Sequence, residues 1–209
     1  MTIMRRLGTS RMALAAILGV VLLFTLAACS DDGDSPDDGS PTAIPTKVPS
    51  PSEVRLTADG CAADCAFSLD QSFTLALEVI DPPAPGYIAL QSLIDFGDLL
   101  TYDAEQREAQ EEIVWADCAD GVALRDQGFG PTLVSHGCLT GLIPPLPVSN
   151  ATGTFVEFTL TCSADPSTTA VRIVPDGDPV AVTSGTTFME ADEVTRSAPS
   201  GSDLTINCG

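Results

Sequence analysis

Apolar and polar residues alternate along several short segments of the chain. In residues 154–162, Val156, Phe158 and Leu160 share one parity and polar residues occupy much of the other. A period of two residues is typical of a strand with one buried face. Comparable runs, rich in the β-branched and aromatic residues that strands favour, predict strands at residues 73–79, 87–96, 99–102, 112–115, 132–135, 138–143, 170–174, 179–183 and 204–208.

The breaks between these runs indicate the architecture. Proline clusters at residues 82–85 and 144–147 end two of the runs, because proline cannot donate to a strand ladder. Short strands separated by frequent turns are typical of a β-sandwich or barrel. We therefore predict an all-β domain, an antiparallel β-sandwich. Residues 104–112 are charged on most sides and predict a surface turn of helix or an irregular loop.

The N-terminal segment has a different pattern. Three arginines precede an apolar run at residues 12–24, which is shorter than the roughly 20 residues that a membrane span needs. A basic start, a short apolar run and small residues behind it are typical of a cleaved signal peptide, predicted here as residues 1–28. The stretch Leu26-Ala27-Ala28-Cys29 resembles the lipobox of bacterial lipoproteins.

That resemblance implies an address for the protein. In lipoproteins the chain is cut just before the cysteine, whose sulfur carries the lipid, so Cys29 would be the modified residue. Each buried CH₂ contributes roughly 0.8 kcal/mol, and two or three acyl chains anchor firmly. We expect an exported protein held by lipid on the outer face of a membrane. The alternative is a plain transmembrane anchor with a chance cysteine.

Composition then divides the mature chain into a tether and a domain. Residues 29–53 are acidic and rich in Pro, Ser and Thr, so they bury too little apolar surface to offset the entropy of ordering. At about 3.1 Å per residue the 23 residues from Ser30 to Ser52 reach roughly 70 Å. Residues 54–209 are enough for one domain with a real core.

The charge balance excludes one class of partner. Removal of the three signal-peptide arginines, with no acid, takes the formal charge from −20 to −23. Nucleic-acid binding needs a basic patch that releases counterions, so we expect none. Anionic headgroups would also repel this body. The membrane attachment must therefore come from the lipid.

Six cysteines remain besides Cys29, and an even number in an exported protein is typical of disulfides. Six cysteines allow 15 connectivities. We predict Cys61–Cys65 as a local bond, and Cys118–Cys138 and Cys162–Cys208 as bonds between neighbouring strands. A metal site is the alternative. The chain has no Cys-x-x-Cys spacing and only one histidine, His136, which favours disulfides.

A wider resemblance covers residues 73–208. Phe73–Val79, then Gly86-Tyr87 opening a long apolar strand, then Leu99-Leu100-Thr101-Tyr102-Asp103, resemble the opening of cohesin-like domains. Later strands of that family would correspond to residues 155–162 and 204–206. The resemblance implies a jelly-roll sandwich of about nine strands that binds a dockerin-like partner or, in relatives, polysaccharide. The six cysteines are not a cohesin feature.

Candidate binding residues are rings and acids. Binding of sugar on a flat sheet usually uses exposed rings, so Trp115, Tyr87 and Tyr102 are the candidate ligand platform, although Trp115 could equally fill the core. Ca²⁺ takes hard oxygen ligands. Asp95 with Asp98 and Asp176 with Asp178 could hold it at the rim, with solvated turn acids as the alternative. We predict no other cofactor.

Catalytic motifs are missing from the sequence. There is no Gly-x-Ser-x-Gly elbow and no phosphate-binding glycine loop. His136 follows Ser135 directly, and adjacent strand residues point to opposite faces. His136 is therefore predicted to be structural or on the surface. Paired carboxylates are frequent, as such an acidic composition makes inevitable.

These observations favour a non-catalytic protein. We expect a lipid-anchored binding module whose sandwich presents one face to a polysaccharide or a protein partner. One alternative is a structural or adhesive envelope component that assembles through edge strands. Another is a small glycoside hydrolase, which would use two carboxylates.

Replacing Cys29 by Ser removes the only thiol that the lipobox presents for acylation. We expect Cys29→Ser protein to leave the membrane fraction and appear in the soluble fraction. Fractionation of cells expressing each form, followed by immunoblotting, measures the partitioning. Unchanged partitioning of the variant would contradict the lipid anchor.

Overall fold

The computed structural model describes residues 52–102, 108–163, 166–181 and 184–209, which form an all-β sandwich. The all-β prediction is therefore confirmed. Within those ranges there are twelve strands, rather than about nine, and one short helix, α1, at Ala109–Glu112. The strands are β1 Glu53–Ala58, β2 Cys65–Phe67, β3 Ser72–Asp81, β4 Tyr87–Asp95, β5 Leu100–Tyr102, β6 Leu124–Asp126, β7 Leu133–Leu139, β8 Gly153–Cys162, β9 Ser167–Ile173, β10 Thr187–Glu190, β11 Arg196–Ser197 and β12 Leu204–Cys208.

The smaller sheet has four antiparallel strands in the order β1-β3-β8-β5. Its inner face carries the apolar residues of the two-residue period, for example Leu77 opposite Val156. The register shifts between Leu77 and Glu78, which leaves Phe155 as the extra residue of a β-bulge. Phe155 and Val156 are consequently both buried, whereas strict alternation would have placed one of them outside.

The larger sheet is built around β4, which is hydrogen-bonded along both edges. One edge pairs with β7 from Ala89 to Asp95, and β6 continues the sheet beyond β7. The other edge pairs first with β10 and then with β9. Strand β11 follows β10, while β12 and then β2 follow β9, and only the β2–β12 pair is parallel.

The core lies between the two sheets. Buried apolar side chains come from both of them, including Leu75, Phe158, Leu90, Ile94 and Val134. At one end Tyr87 stacks on Trp115 with ring centroids 5.1 Å apart and meets Phe188 edge-on at 4.9 Å. Each large apolar side chain that is fully buried stabilises the fold by roughly 1.5–3 kcal/mol. The aromatic residues thus serve mainly to join the layers.

All three predicted disulfides are present, namely Cys61–Cys65, Cys118–Cys138 and Cys162–Cys208. The third bond joins the end of β8 in the smaller sheet to the end of β12 in the larger one. The second ties the segment after α1 to β7, and the first closes the turn between β1 and β2. Each bond therefore fixes a different part of the sandwich.

The strand predicted at residues 112–115 is wrong. The chain forms α1 up to Glu112, and Ile113 then makes only an isolated bridge. A capping box between Glu108 and Glu111 starts this helical turn, because the two residues satisfy each other's backbone N–H groups. A four-residue apolar run cannot distinguish these outcomes, since it is too short to show a period.

Other strand boundaries also differ from the prediction. Residues 179–181 form a turn closed by Asp178, whose Oδ1 accepts a hydrogen bond from the Val180 N–H, and residues 182–183 lie outside the described ranges. The runs at 132–135 and 138–143 merge into one strand, β7, which ends at Leu139, and residues 140–143 form no strand. Strands β1, β2, β6, β10 and β11 were not predicted, and β1 begins inside the predicted tether.

Several predictions fall outside the described residues. These include the signal peptide, the lipobox residues, Cys29 and most of the tether, so lipidation remains a prediction. The helical candidate at 104–112 is described only from residue 108 onward. Within the described ranges no helix is long and apolar enough to cross a bilayer.

The three disulfides should differ in their contribution to stability. Loop-closure entropy grows with loop length, and 46, 20 and 4 residues separate the paired cysteines of Cys162–Cys208, Cys118–Cys138 and Cys61–Cys65. Double Cys→Ala replacement should lower the free energy of unfolding by about 4, 3 and 2 kcal/mol in that order. Urea unfolding of the three variants measures the ranking. A larger loss at Cys61–Cys65 than at Cys162–Cys208 would contradict it.

Candidate functional site

The outer face of the larger sheet carries a groove. Alternation along β4 and β7 places Ala89 opposite Leu139 and Gln91 opposite Gly137 on this face, while Leu90 packs in the core. The small residues Ala89 and Gly137 keep the floor low. Taller side chains around them enclose a cavity of about 180 Å³, which we call the sheet groove.

The walls of the sheet groove are mainly aliphatic. Leu124 of β6 stands on one side and is 67% exposed. Met189 of β10 stands on the other side, and Val122 and Leu139 complete the lining. The Leu124 side chain stays in contact with water unless a ligand covers it. Filling the groove would therefore bury apolar surface, which is favourable at roughly 25 cal/mol per Å².

The two ends of the sheet groove carry opposite charges. Arg196 of the edge strand β11 lines it at one end. Toward β6 it continues into a second cavity of about 190 Å³, which shares Gln91 and Leu124 with the first and is lined further by Asp126, Ser135 and Phe129. The surface therefore runs from a cation, across an apolar floor, to a carboxylate.

A buried ionic cluster lies on the opposite, inward side of β6 and β7. The carboxylate of Glu112, at the end of α1, accepts a hydrogen bond from the Tyr102 hydroxyl at 2.7 Å and one from the Arg125 guanidinium at 3.0 Å, both on Oε1. Its Oε2 lies 2.9 Å from Nε2 of His136. Glu112 is 1% exposed and His136 0%. Three donors thus satisfy one buried carboxylate, as burial of a charge requires.

The cluster sets the protonation states of its members. Burial tends to raise the pKa of Glu112, but the hydrogen bonds from His136, Tyr102 and Arg125 outweigh it and hold that pKa below its usual value. Burial lowers the pKa of His136 despite the nearby carboxylate. His136 is therefore neutral at pH 7. It donates through Nε2–H to Glu112, and Nδ1 has no partner among the described residues.

The cluster resembles catalytic machinery in composition but is closed to substrate. His136 lies in contact with Phe158, with ring centroids 5.2 Å apart, and neither the imidazole nor the Glu112 carboxylate meets solvent. General acid–base catalysis requires the catalytic group within hydrogen-bonding reach of the substrate. His136 is thus structural, one of the two predicted alternatives, and it connects α1 to the larger sheet.

Two of the three rings considered as a ligand platform are buried, which for Trp115 is the core alternative. Trp115 is 5% exposed and Tyr87 0%, because both fill the core at the Phe155 bulge. The Phe155 carbonyl accepts the backbone N–H of Trp115, and the indole packs against the Phe155 ring with centroids 5.9 Å apart. Tyr102 is half-buried, with its hydroxyl on Glu112, and does not line the sheet groove.

Three of the four acids considered for calcium have other roles. Asp95 pairs with Arg172 at 3.0 Å and accepts the Gly97 N–H. Asp176 accepts the Gly185 N–H, and Asp178 closes its own turn. Among the described residues, Asp98 included, no group of three or more His, Cys, Asp or Glu side chains is placed to hold a metal ion. The prediction of a calcium site finds no support here.

The residues of the sheet groove escaped prediction for a physical reason. Leu124, Met189 and Arg196 lie on strands of two to four residues, which show no period. Glu112 was assigned to a strand because its apolar successors dominated the pattern. An outward-facing leucine on an otherwise charged segment, Leu124 beside Arg125, is the one local signal that the sequence offered.

Acid should weaken the fold in two stages. Below about pH 6.5 a histidine in the unfolded chain is protonated, whereas His136 in the folded protein stays neutral because its pKa is lower. Below about pH 4.5 Glu112 is likewise protonated in the unfolded chain before it is protonated in the folded protein. The free energy of unfolding should therefore decrease as the pH is lowered, by up to about 1.4 kcal/mol per pH unit for each such residue. Urea unfolding between pH 8 and pH 5 of wild type and His136→Gln measures this. The variant should lack the first stage, and equal slopes would contradict a lowered His136 pKa.

Comparison with known proteins adds no relative. Neither the protein-family models nor the curated proteins compared with the chain give a significant match. The functional interpretation therefore depends on the sheet groove and on the sequence patterns themselves.

Proposed function

We propose that this protein is a non-catalytic binding module, displayed on a lipid tether, that holds a protein partner in the sheet groove. The observation that carries the proposal is the apolar lining of that groove, with Leu124 largely exposed. A monomer gains nothing from exposing aliphatic side chains around a low floor. Contiguous apolar surface bounded by polar residues is typical of an interaction site.

A protein partner fits the lining better than a polysaccharide does. Sugar rings stack on exposed aromatic side chains, and Trp115 and Tyr87 are buried. Phe129 is the one aromatic ring among the described residues that line the two cavities, and it is itself half-buried against a small cluster around Leu93. Aliphatic walls of Leu and Met instead favour apolar side chains of a polypeptide.

The orientation of the groove favours a helical segment of the partner. It crosses the strands from β11 to β6, so a bound strand could not extend the sheet by backbone pairing. A helix satisfies its own backbone groups and can lay an apolar face on such a surface. The resemblance to cohesin-like domains, which bind a dockerin-like partner, points in the same direction.

The rival functions fit less well. Assembly through sheet edges needs long unpaired edge strands. The edge strands β2, β5, β6 and β11 have two or three residues, and the edge of β1 donates its Val54 and Ala58 N–H groups to Ser200 and Cys61. Glycoside hydrolysis needs two accessible carboxyl groups facing one cleft, and among the described residues one carboxyl group, that of Asp126, lines the sheet groove and the cavity that continues it.

Site-specific photo-crosslinking tests the proposal. Benzoylphenylalanine is placed at position 124 in the sheet groove, or at position 69 as the matched control, since Leu69 is 44% exposed but lies on the turn before β3. We expect a discrete crosslinked protein from position 124 in the producing cells and none from position 69. Adding Leu139→Asp should abolish the crosslink, because a charge in the lining opposes burial.

Two results would overturn the proposal. Identical crosslinks from positions 124 and 69, or none from position 124, would show that the sheet groove is not the contact surface. Retention on an insoluble polysaccharide that Leu124→Asp abolishes would replace the protein partner by a glycan. The thermal unfolding midpoint of each variant serves as the check on folding, since Leu124 is exposed.

A further inference from the structure

The arginines of the domain are distributed unevenly between ion pairs and open surface. Residues 54–209 contain five arginines, no lysine and 23 acids. Of the four arginines in the described ranges, Arg55, Arg125 and Arg172 pair with Glu78, Glu112 and Asp95. Arg196 has no carboxylate within 4.0 Å among the described residues. An unpaired arginine is unexpected where acids are this abundant.

Arg196 occupies a defined place in the sheet groove. It lies opposite Met189 on β10, which in turn lies opposite Ala89 on β4. The antiparallel pairing places these three residues on the same face of the sheet. The guanidinium is therefore presented beside the apolar floor, exposed and with its five donors available.

A carboxylate marks the other end of the same surface. Asp126 lies opposite Ser135 on β7, which lies opposite Leu93 on β4. Four inter-strand steps of about 4.8 Å and four residues of about 3.4 Å separate the two poles, a diagonal of about 23 Å. A helix of roughly 15 residues spans that length.

We propose that Arg196 pairs with a carboxylate of the partner and so fixes the direction in which the partner lies in the sheet groove. This inference rests on the proposed function. The guanidinium matches a carboxylate in a bidentate geometry. Asp126 at the opposite pole accepts a basic residue. A partner bound in the reverse direction would place its acid against Asp126 and its base against Arg196.

The overall field of the protein adds a second requirement. The domain, with five arginines against 23 acids in residues 54–209, has a formal charge of −18 and attracts cations at long range, but salt screens that field over about 8 Å at physiological ionic strength. A partner that is net basic is therefore drawn in, and its acid is tolerated only in contact with Arg196. The expected ligand is an amphipathic segment, basic overall, with one acid at the end that meets β11.

Peptide selection tests this chemistry without a known partner. A phage-displayed library of peptides of about 15 residues is panned on the lipid-free mature protein, and bound phage are eluted. We expect selected peptides to share an apolar face with Asp or Glu near one end and Lys or Arg near the other. Synthetic copies are then titrated by isothermal calorimetry.

Matched variants separate the pairing from general electrostatics. Arg196→Gln should weaken binding about tenfold, as loss of a close interfacial charge pair does, and Arg196→Lys should restore most of it. Arg55→Gln makes the same charge change on the smaller sheet, where Arg55 is exposed, and should alter affinity less than about twofold. When the acidic residue of the peptide is replaced by Gln, Arg196→Gln should no longer change the affinity.

The outcomes distinguish the two proposals. If Leu124→Asp abolishes peptide binding and Arg196→Gln leaves the affinity unchanged, the role of Arg196 is overturned and the sheet groove remains the binding site. Equal changes in affinity with Arg196→Gln and Arg55→Gln, in either direction, would also overturn it, because only the general field acts alike on the two positions. If the selected peptides bind the Leu124→Asp variant as tightly as the wild type, or if the selection yields no peptide, the result counts against the proposed function itself.

Discussion

The pairing of β4 along both edges is the constraint on which the sandwich and the sheet groove both depend. A strand held on two sides cannot rotate, so its alternating side chains are committed to opposite faces. Leu90 and Ile94 enter the core, and Ala89 and Gln91 therefore form the floor outside. A slip of one residue against β7 would bury Gln91 and expose Leu90, and would destroy the core and the groove together.

Two polar arrangements on the two sides of β6 and β7 have opposite physical characters. Inside, Glu112 has donors from Tyr102, Arg125 and His136, and such a satisfied buried cluster holds α1 in one position, although its net stabilisation is small because desolvation opposes it. On the outer side, Arg196 has no carboxylate partner among the residues that the structure describes. The first arrangement suits structure, and the second suits recognition.

The burial of the aromatic residues is the reason that the proposed binding relies on aliphatic contacts. A small sandwich has little core volume between its sheets, and Tyr87, Trp115, Phe155 and Phe188 fill one end of it. Aromatic rings that are buried in the core are not available to stack on sugars. The lipid tether expected at Cys29 would then serve display, since the acidic body has no attraction of its own for an anionic membrane.

The amino-acid sequence by itself determined the all-β class, the longest strands and the presence of disulfides, because the period of two in β3 and β8 and an even set of six cysteines can be recognised without the fold. Only the tertiary structure decided the rest. Trp115 packs against Phe155 of the β-bulge inside the core, and strands as short as β6 and β11 acquire a side only from their neighbours. Leu124 and Arg196 therefore line opposite sides of the sheet groove although 72 residues separate them in the chain, since β-sheet pairing joins positions by register and not by sequence distance.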